Sequence, residues 1–88
     1  MRSVWKFQFH TTDRITVEMP KGAEVLCVQM QDGIPCMWAM VDTSTMERER
    51  RLFRILGTGH PADNDVGKYV GTYQMMGGSL VFHVFEEV

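Results

Sequence analysis

The sequence predicts an all-β domain, a small antiparallel sandwich or partly open barrel of about seven short strands. Three observations carry this. Apolar and polar residues alternate with a period of two along much of the chain, as in Trp5-Lys6-Phe7-Gln8-Phe9 and Ile15-Thr16-Val17-Glu18-Met19. Turn-forming residues recur at short, even intervals, at His10-Thr11-Thr12-Asp13, Pro20-Lys21-Gly22, Asp32-Gly33, Gly57-Thr58-Gly59 and Gly77-Gly78. No segment carries a convincing helical period. With 88 residues there is room for one domain, residues 1–88, and no second core.

Each element follows from its own pattern. The first two alternating runs, separated by the polar residues His10 to Asp13, read as a β-hairpin. Pro20-Lys21-Gly22 breaks the second strand with turn chemistry. Ala23 to Met30 is a more continuously apolar strand, and Asp32-Gly33 is the strongest hairpin signal in the chain. Ile34 to Val41 returns as its partner, with Pro35 near the start, where a missing N–H is tolerated. Cys36, Trp38 and Met40 share one of its faces and Met37, Ala39 and Val41 the other, so the strand is either central in its sheet or covered by a subunit partner. The charged segment Asp42 to Arg51 reads as a solvated loop or hairpin tip. Leu52 to Leu56 is a strand, and Gly57 to Asp65 a loop. Lys68 to Met76 is a strand weakened by Gly71, ended by Gly77-Gly78, and Leu80 to Phe85 is the last strand. The strand before the loop and the strand from Lys68 are expected to be neighbours.

Composition narrows the function classes. At 44% hydrophobic the chain can bury a small core, of the kind that often gains stability by association. A formal net charge of -2 argues against a general nucleic-acid binder, whose phosphate partner rewards a large positive excess. A small anionic ligand needs only one or two local cations. Cys27 and Cys36 stand in apolar context and read as two reduced, buried thiols of an intracellular, cytoplasmic protein rather than a disulfide scaffold. No run approaches the roughly 20 apolar residues of a membrane span, and the first residues lack the apolar core of a signal peptide.

The candidate ligand site centres on Gly57-Thr58-Gly59-His60, followed by Pro61. Glycines let backbone N–H groups approach an anion, Thr58 adds a hydroxyl, and His60 adds a donor whose charge can change. Pro61 restricts His60 to extended backbone. The alternative is a tight turn with a surface histidine. Gly-x-Gly without a following helix is neither a dinucleotide fingerprint nor a P-loop. Arg54 lies between Leu52 and Leu56, opposite Phe53 and Ile55, and its planar fork suits phosphate or carboxylate. Its alternative is a stem lying on apolar surface with its head in water. Trp5, Trp38, Tyr69 and Tyr73 are candidate aromatic faces for a base; Trp5 reads as core by default, and Tyr69, beside Lys68 and close after the loop, is the better candidate.

Other chemistries fit less well. His60, Asp63 and Asp65 have metal-ligand types but lack a second histidine or a local cysteine, and Asp63-Asn64-Asp65 suits Asx turns. The three histidines, His10, His60 and His83, are far apart in sequence, and His83 reads as a structural residue in an apolar strand. No nucleophile motif such as G-x-S-x-G is present. Binding without catalysis, metal or cofactor is the expectation, with a hydrolase or lyase using His60 as the least favoured reading.

Several segments together resemble a known group. Glu18 to Val25, Gly33 to Val41, Phe53 to Pro61, Tyr69 to Thr72 and Val81 to Glu86 follow the pattern P-K-G-A-E, P-x-x-W-A, G-T-G-H, Y-x-G-T and H-V-F-E. The pattern resembles a family of very short phage and prophage proteins of unknown function, and through it the anti-CBASS sponges that bind cyclic nucleotide immune signals without cleaving them. That resemblance implies a homo-oligomer (dimer or tetramer) acting in the host cytoplasm on a cyclic dinucleotide, whose near two-fold symmetry suits a two-fold interface. The competing expectation is a protein–protein interaction module that inhibits a host protein, on the ground that eight methionines suit adaptable apolar surfaces.

Overall fold

A computed structural model describes residues 1–87 and shows an all-β sandwich. Seven strands follow one another: β1 (Arg2–Gln8), β2 (Arg14–Pro20), β3 (Glu24–Gln31), β4 (Ile34–Asp42), β5 (Arg48–Gly57), β6 (Lys68–Met75) and β7 (Leu80–Glu86). A single 3-10 turn, Met76–Gly78, precedes β7. They form a three-stranded sheet, order β1-β4-β3, and a four-stranded sheet, order β2-β5-β7-β6, and every neighbouring pair is antiparallel.

The alternation read from sequence is the alternation observed. Trp5 and Phe7 point inward from β1, Val17 and Met19 from β2, Met37, Ala39 and Val41 from β4, Phe53 and Ile55 from β5. Phe53, Met19 and Met37 are fully buried. Burying each such side chain contributes about 1.5–3 kcal/mol before conformational entropy is charged against it. Asp32 and Gly33 both take positive φ (51° and 79°), as a two-residue I′ turn requires, and join β3 to β4. β4 is central in its sheet: one face, Met37, Ala39 and Val41, packs into the core, and Trp38 and Met40 stay half-buried on the outer face.

Partner choice departs from expectation in three places. β1 and β2 do not form a hairpin: β1 pairs with β4, and β2 pairs with β5 in the other sheet. Each strand has one apolar face, and both faces are buried only if the chain crosses from one layer to the other. Phe9 is buried at that crossing, where its N–H donates to the Pro35 carbonyl. The segment Arg48–Arg51 is strand, not loop, because its backbone pairs along Val17–Pro20. β5 and β6 are not neighbours either: β7 lies between them. Both cysteines are free, but only Cys36 is buried; Cys27 is half-buried.

Tyr73 shows how the core meets its polar edge. Its ring packs edge-on to Phe9, centroids 5.6 Å apart, and its hydroxyl lies 2.7 Å from the Thr11 hydroxyl. Burial raises the phenol above its ordinary value of 10.0, with the Thr11 bond pulling the other way. A raised folded value means that this contribution to stability is complete below about pH 10 and is lost as pH climbs through the folded value. Tyr73→Phe is therefore expected to cost about 1 kcal/mol at neutral pH. Its melting temperature, measured from about pH 9 to about pH 11, should fall less than that of the wild type. Parallel curves would show that this phenol does not drive alkaline unfolding.

Candidate functional site

The site is built on the outer face of the four-stranded sheet. Alternation along β5 turns Phe53 and Ile55 inward and leaves Arg54 and Leu56 outside. Register then sets the neighbours. Arg54 stands opposite Arg14 on β2 and opposite Phe85 on β7, and Phe85 stands opposite Tyr69 on β6. The next row is Leu56, His83 and Thr72. Two cations thus continue across the sheet into an aromatic pair, Tyr69 and Phe85, centroids 5.7 Å apart and 66° inclined.

The glycine-flanked loop caps this face. The His60 N–H donates to the Gly57 carbonyl at 3.0 Å, closing a four-residue turn. Gly59 has φ 87°, the conformation such a turn needs at its third position. The imidazole of His60 folds back over Gly57, so that a methyl group there would meet Cε1 at 2.9 Å. The Thr58 N–H donates to the Val81 carbonyl at 3.0 Å. Two of the N–H groups expected to cradle an anion are therefore occupied by protein carbonyls.

His60 borders a cleft of about 410 Å³ whose walls also include Asp13, Arg14, Arg54 and Pro61. Arg54 is largely enclosed, with 17% of its side chain exposed, and its nearest acid is the 71% exposed Asp63 at 3.6 Å. Arg14 meets Glu87 at 3.6 Å. Like charges directly opposite in an antiparallel pair repel, and both counter-ions sit beyond ordinary hydrogen-bond length. Of the weak metal-ligand set His60, Asp63 and Asp65, Asp63 faces Arg54, and among the described residues no group of three histidines, cysteines or acids is placed to hold a metal ion.

The other expected residues divide among separate places. Gly57 and Thr58 do not line that cleft; with His60, which lines both, they border a smaller hollow beside Leu80 and Phe82. Lys68 and Tyr69 border a cleft between β3 and β6, together with Arg51 and Glu86. Trp38 lies on the outer face of the other sheet, opposite Lys6 and Cys27, and does not join Arg54. Its face and Arg54's are the two outer surfaces of the sandwich.

His83, read from the sequence as a structural residue of an apolar strand, lies on the outer face of the four-stranded sheet beside this cluster. Its Nε2 lies 2.7 Å from the Thr58 hydroxyl and its Nδ1 3.0 Å from the Thr72 hydroxyl, which is itself 2.6 Å from the Tyr69 hydroxyl. A four-residue row of hydrogen bonds thus links the loop, β7 and β6. Period-two counting places His83 with Val81 and Phe85 on the outer face, a signal that was there to be read. The same counting fails for Tyr69 and Thr72, three apart, because a bulge between Tyr69 and Gly71 shifts the phase and puts both on one face.

A model for a domain of unknown function, DUF7352, matches residues 1–88. The chain belongs to the DUF7352 family. No curated protein and no solved structure matches it. In this DUF7352 domain the row of Thr58, Tyr69, Thr72 and His83 joins the loop after β5 to β6 and β7. Among the described residues no helix is long and apolar enough to cross a membrane.

Proposed function

We propose that this DUF7352 domain binds a small anionic ligand, and that the ligand's anion enters the cleft between Arg14, Arg54 and His60. The observation that carries the reading is the cross-strand arginine pair: two arginines directly opposite in register and lining one cleft, one of them largely enclosed, with only loosely placed acids beside them. An incoming phosphate would accept charge-assisted bonds from both and relieve their repulsion. The resemblance to short phage proteins extends this to a cyclic dinucleotide messenger, held intact and so withdrawn from a host defence system in the cytoplasm. Sequestration rather than turnover is supported by His83, both of whose ring nitrogens already face protein hydroxyls.

Calorimetric titration and thermal shift against cyclic dinucleotides test this. A ligand at about one hundred times its Kd should stabilise the domain by about 2.7 kcal/mol. Arg54→Gln should weaken binding about 10- to 100-fold while the unliganded melting temperature stays close to wild type. Ligand recovered intact after heat denaturation supports a sponge; recovered cleavage products would make it a hydrolase. If no cyclic dinucleotide shifts the wild-type protein, the messenger reading fails.

A second reading rests on the other outer surface. Val4 and Ile34 are 48% and 39% exposed there, beside half-buried Trp38 and Met40. Such a patch suits self-association or a host-protein partner. Met40→Glu should abolish a dimer seen by sedimentation, or capture of a stoichiometric partner, without altering anion binding.

A further inference from the structure

We infer that the Thr58–His83–Thr72–Tyr69 row, with the Phe85 ring, is a recognition site for a planar heterocycle, the base of a nucleotide whose phosphate lies in the Arg54 cleft. The inference rests on the anion reading of that cleft and names the rest of its ligand.

Placement is the first argument. Arg54 is the direct cross-strand neighbour of Phe85, and Phe85 of Tyr69, so a cation and two aromatic rings occupy adjacent strands at a spacing of about 4.8 Å each. His83 and Thr72 form the adjoining row. A ligand with an anionic end on Arg54 would therefore carry its remaining bulk over Phe85, Tyr69 and His83. Tyr69 is 55% exposed, so much of its surface is open to contact.

The hydrogen-bond row is the second. On the outer face of a sheet, water would satisfy each hydroxyl and the imidazole separately, so the row does not exist to rescue buried polar groups. Its effect is orientation: the imidazole is held between two hydroxyls at 2.7 Å and 3.0 Å. The row also has two complete proton arrangements. In one, the Tyr69 hydroxyl donates to Thr72, Thr72 donates to Nδ1, and Nε2–H donates to Thr58, whose own proton turns to the Val81 carbonyl at 3.4 Å. In the other, Thr58 donates to Nε2, Nδ1–H donates to Thr72, Thr72 donates to the Tyr69 oxygen, and the Tyr69 proton points away from the row. The exposed Tyr69 end can thus present a lone pair alone or a donor as well, with all three bonds of the row kept and only the long Thr58–Val81 contact given up. That suits the edge of a heterocycle, which carries donors and acceptors side by side, and the aromatic pair supplies a contact that any base can use.

The test compares three probes on the whole protein by calorimetry: inorganic pyrophosphate, an uncharged nucleoside, and the matching nucleoside diphosphate. Aromatic carbon–proton NMR spectra follow His83, Tyr69 and Phe85. The diphosphate should bind about tenfold or more tightly than pyrophosphate and shift all three aromatic signals. Tyr69→Ala and Thr72→Val should each reduce that advantage while pyrophosphate affinity is unchanged, a pattern that a merely destabilised fold would not give. Should pyrophosphate bind while the nucleoside diphosphate gains nothing, the base site is overturned and the anion cleft stands. Should the nucleoside bind and shift His83 while pyrophosphate does not bind, the anion cleft is overturned and the ring site stands. No binding by any probe overturns both.

Discussion

Gly67→Ala is expected to lower the melting temperature by on the order of 15 °C. Gly67 has φ 117°, a backbone state that side-chain-bearing residues scarcely populate. It also lies against the end of β7. A Cβ there would sit 2.1 Å from the Glu86 carbonyl oxygen and 2.7 Å from its carbon. Both are main-chain atoms of a paired strand, since Glu86 is in register with Lys68 on one side and Phe53 on the other. Neither can swing aside as a side chain would. Backbone strain and overpacking together give a cost of about 3 kcal/mol. Thermal unfolding of the variant measures it directly. A shift of only about 3 °C or less would show that the β6–β7 end relaxes freely and that the close approach does not constrain the fold.

Arg51→Ala should cost about 2–3 kcal/mol, the second large effect. Arg51 points to the inner edge of β5 with 16% of its side chain exposed, and Glu86 beside it is 20% exposed. Its Nε and Nη2 meet the two carboxylate oxygens of Glu86, and its Nη1 donates to the Ala23 carbonyl at 2.8 Å and to Glu49 at 3.1 Å. The bond to Glu86 raises the guanidinium above its ordinary value, against the opposing effect of burial. Truncation leaves a carboxylate and a carbonyl without their shared donor. Replacing both partners by apolar groups removes the carboxylate's part of that penalty, so Arg51→Met with Glu86→Leu should recover most of the loss in denaturant unfolding. If the double variant were as unstable as Arg51→Ala alone, the orphaned Ala23 carbonyl, not the unpaired carboxylate, would be the cause.

Much of this protein was legible in its residues. Period-two alternation determined which side chains of each strand are buried, because a strand has only two faces and one of them must leave water. Asp32-Gly33 determined the β3–β4 hairpin, because both residues tolerate positive φ. Alternation also put Arg54 outside, between Leu52 and Leu56. These are local properties, set by a few bonds of backbone geometry.

Which strands pair was decided only by the tertiary structure. Trp5 and Phe7 could face an adjacent β2 or a distant β4 with the same alternation, and the choice depends on burying two apolar faces against each other at once. Arg48–Arg51 looked solvated because its charges are dense, yet Arg51 finds Glu86 across the sheet, thirty-five residues away in the chain. The site depended on structure most of all. Arg14 and Arg54 become neighbours through register, and Tyr69 and Thr72 share a face only through a bulge. Beside it Gly71 lets β6 approach β3 so closely that a Cβ would lie 3.0 Å from Val28. Periodicity can place a residue on a face, but it carries no information about the phase shift that a bulge introduces or about the strand that register sets alongside.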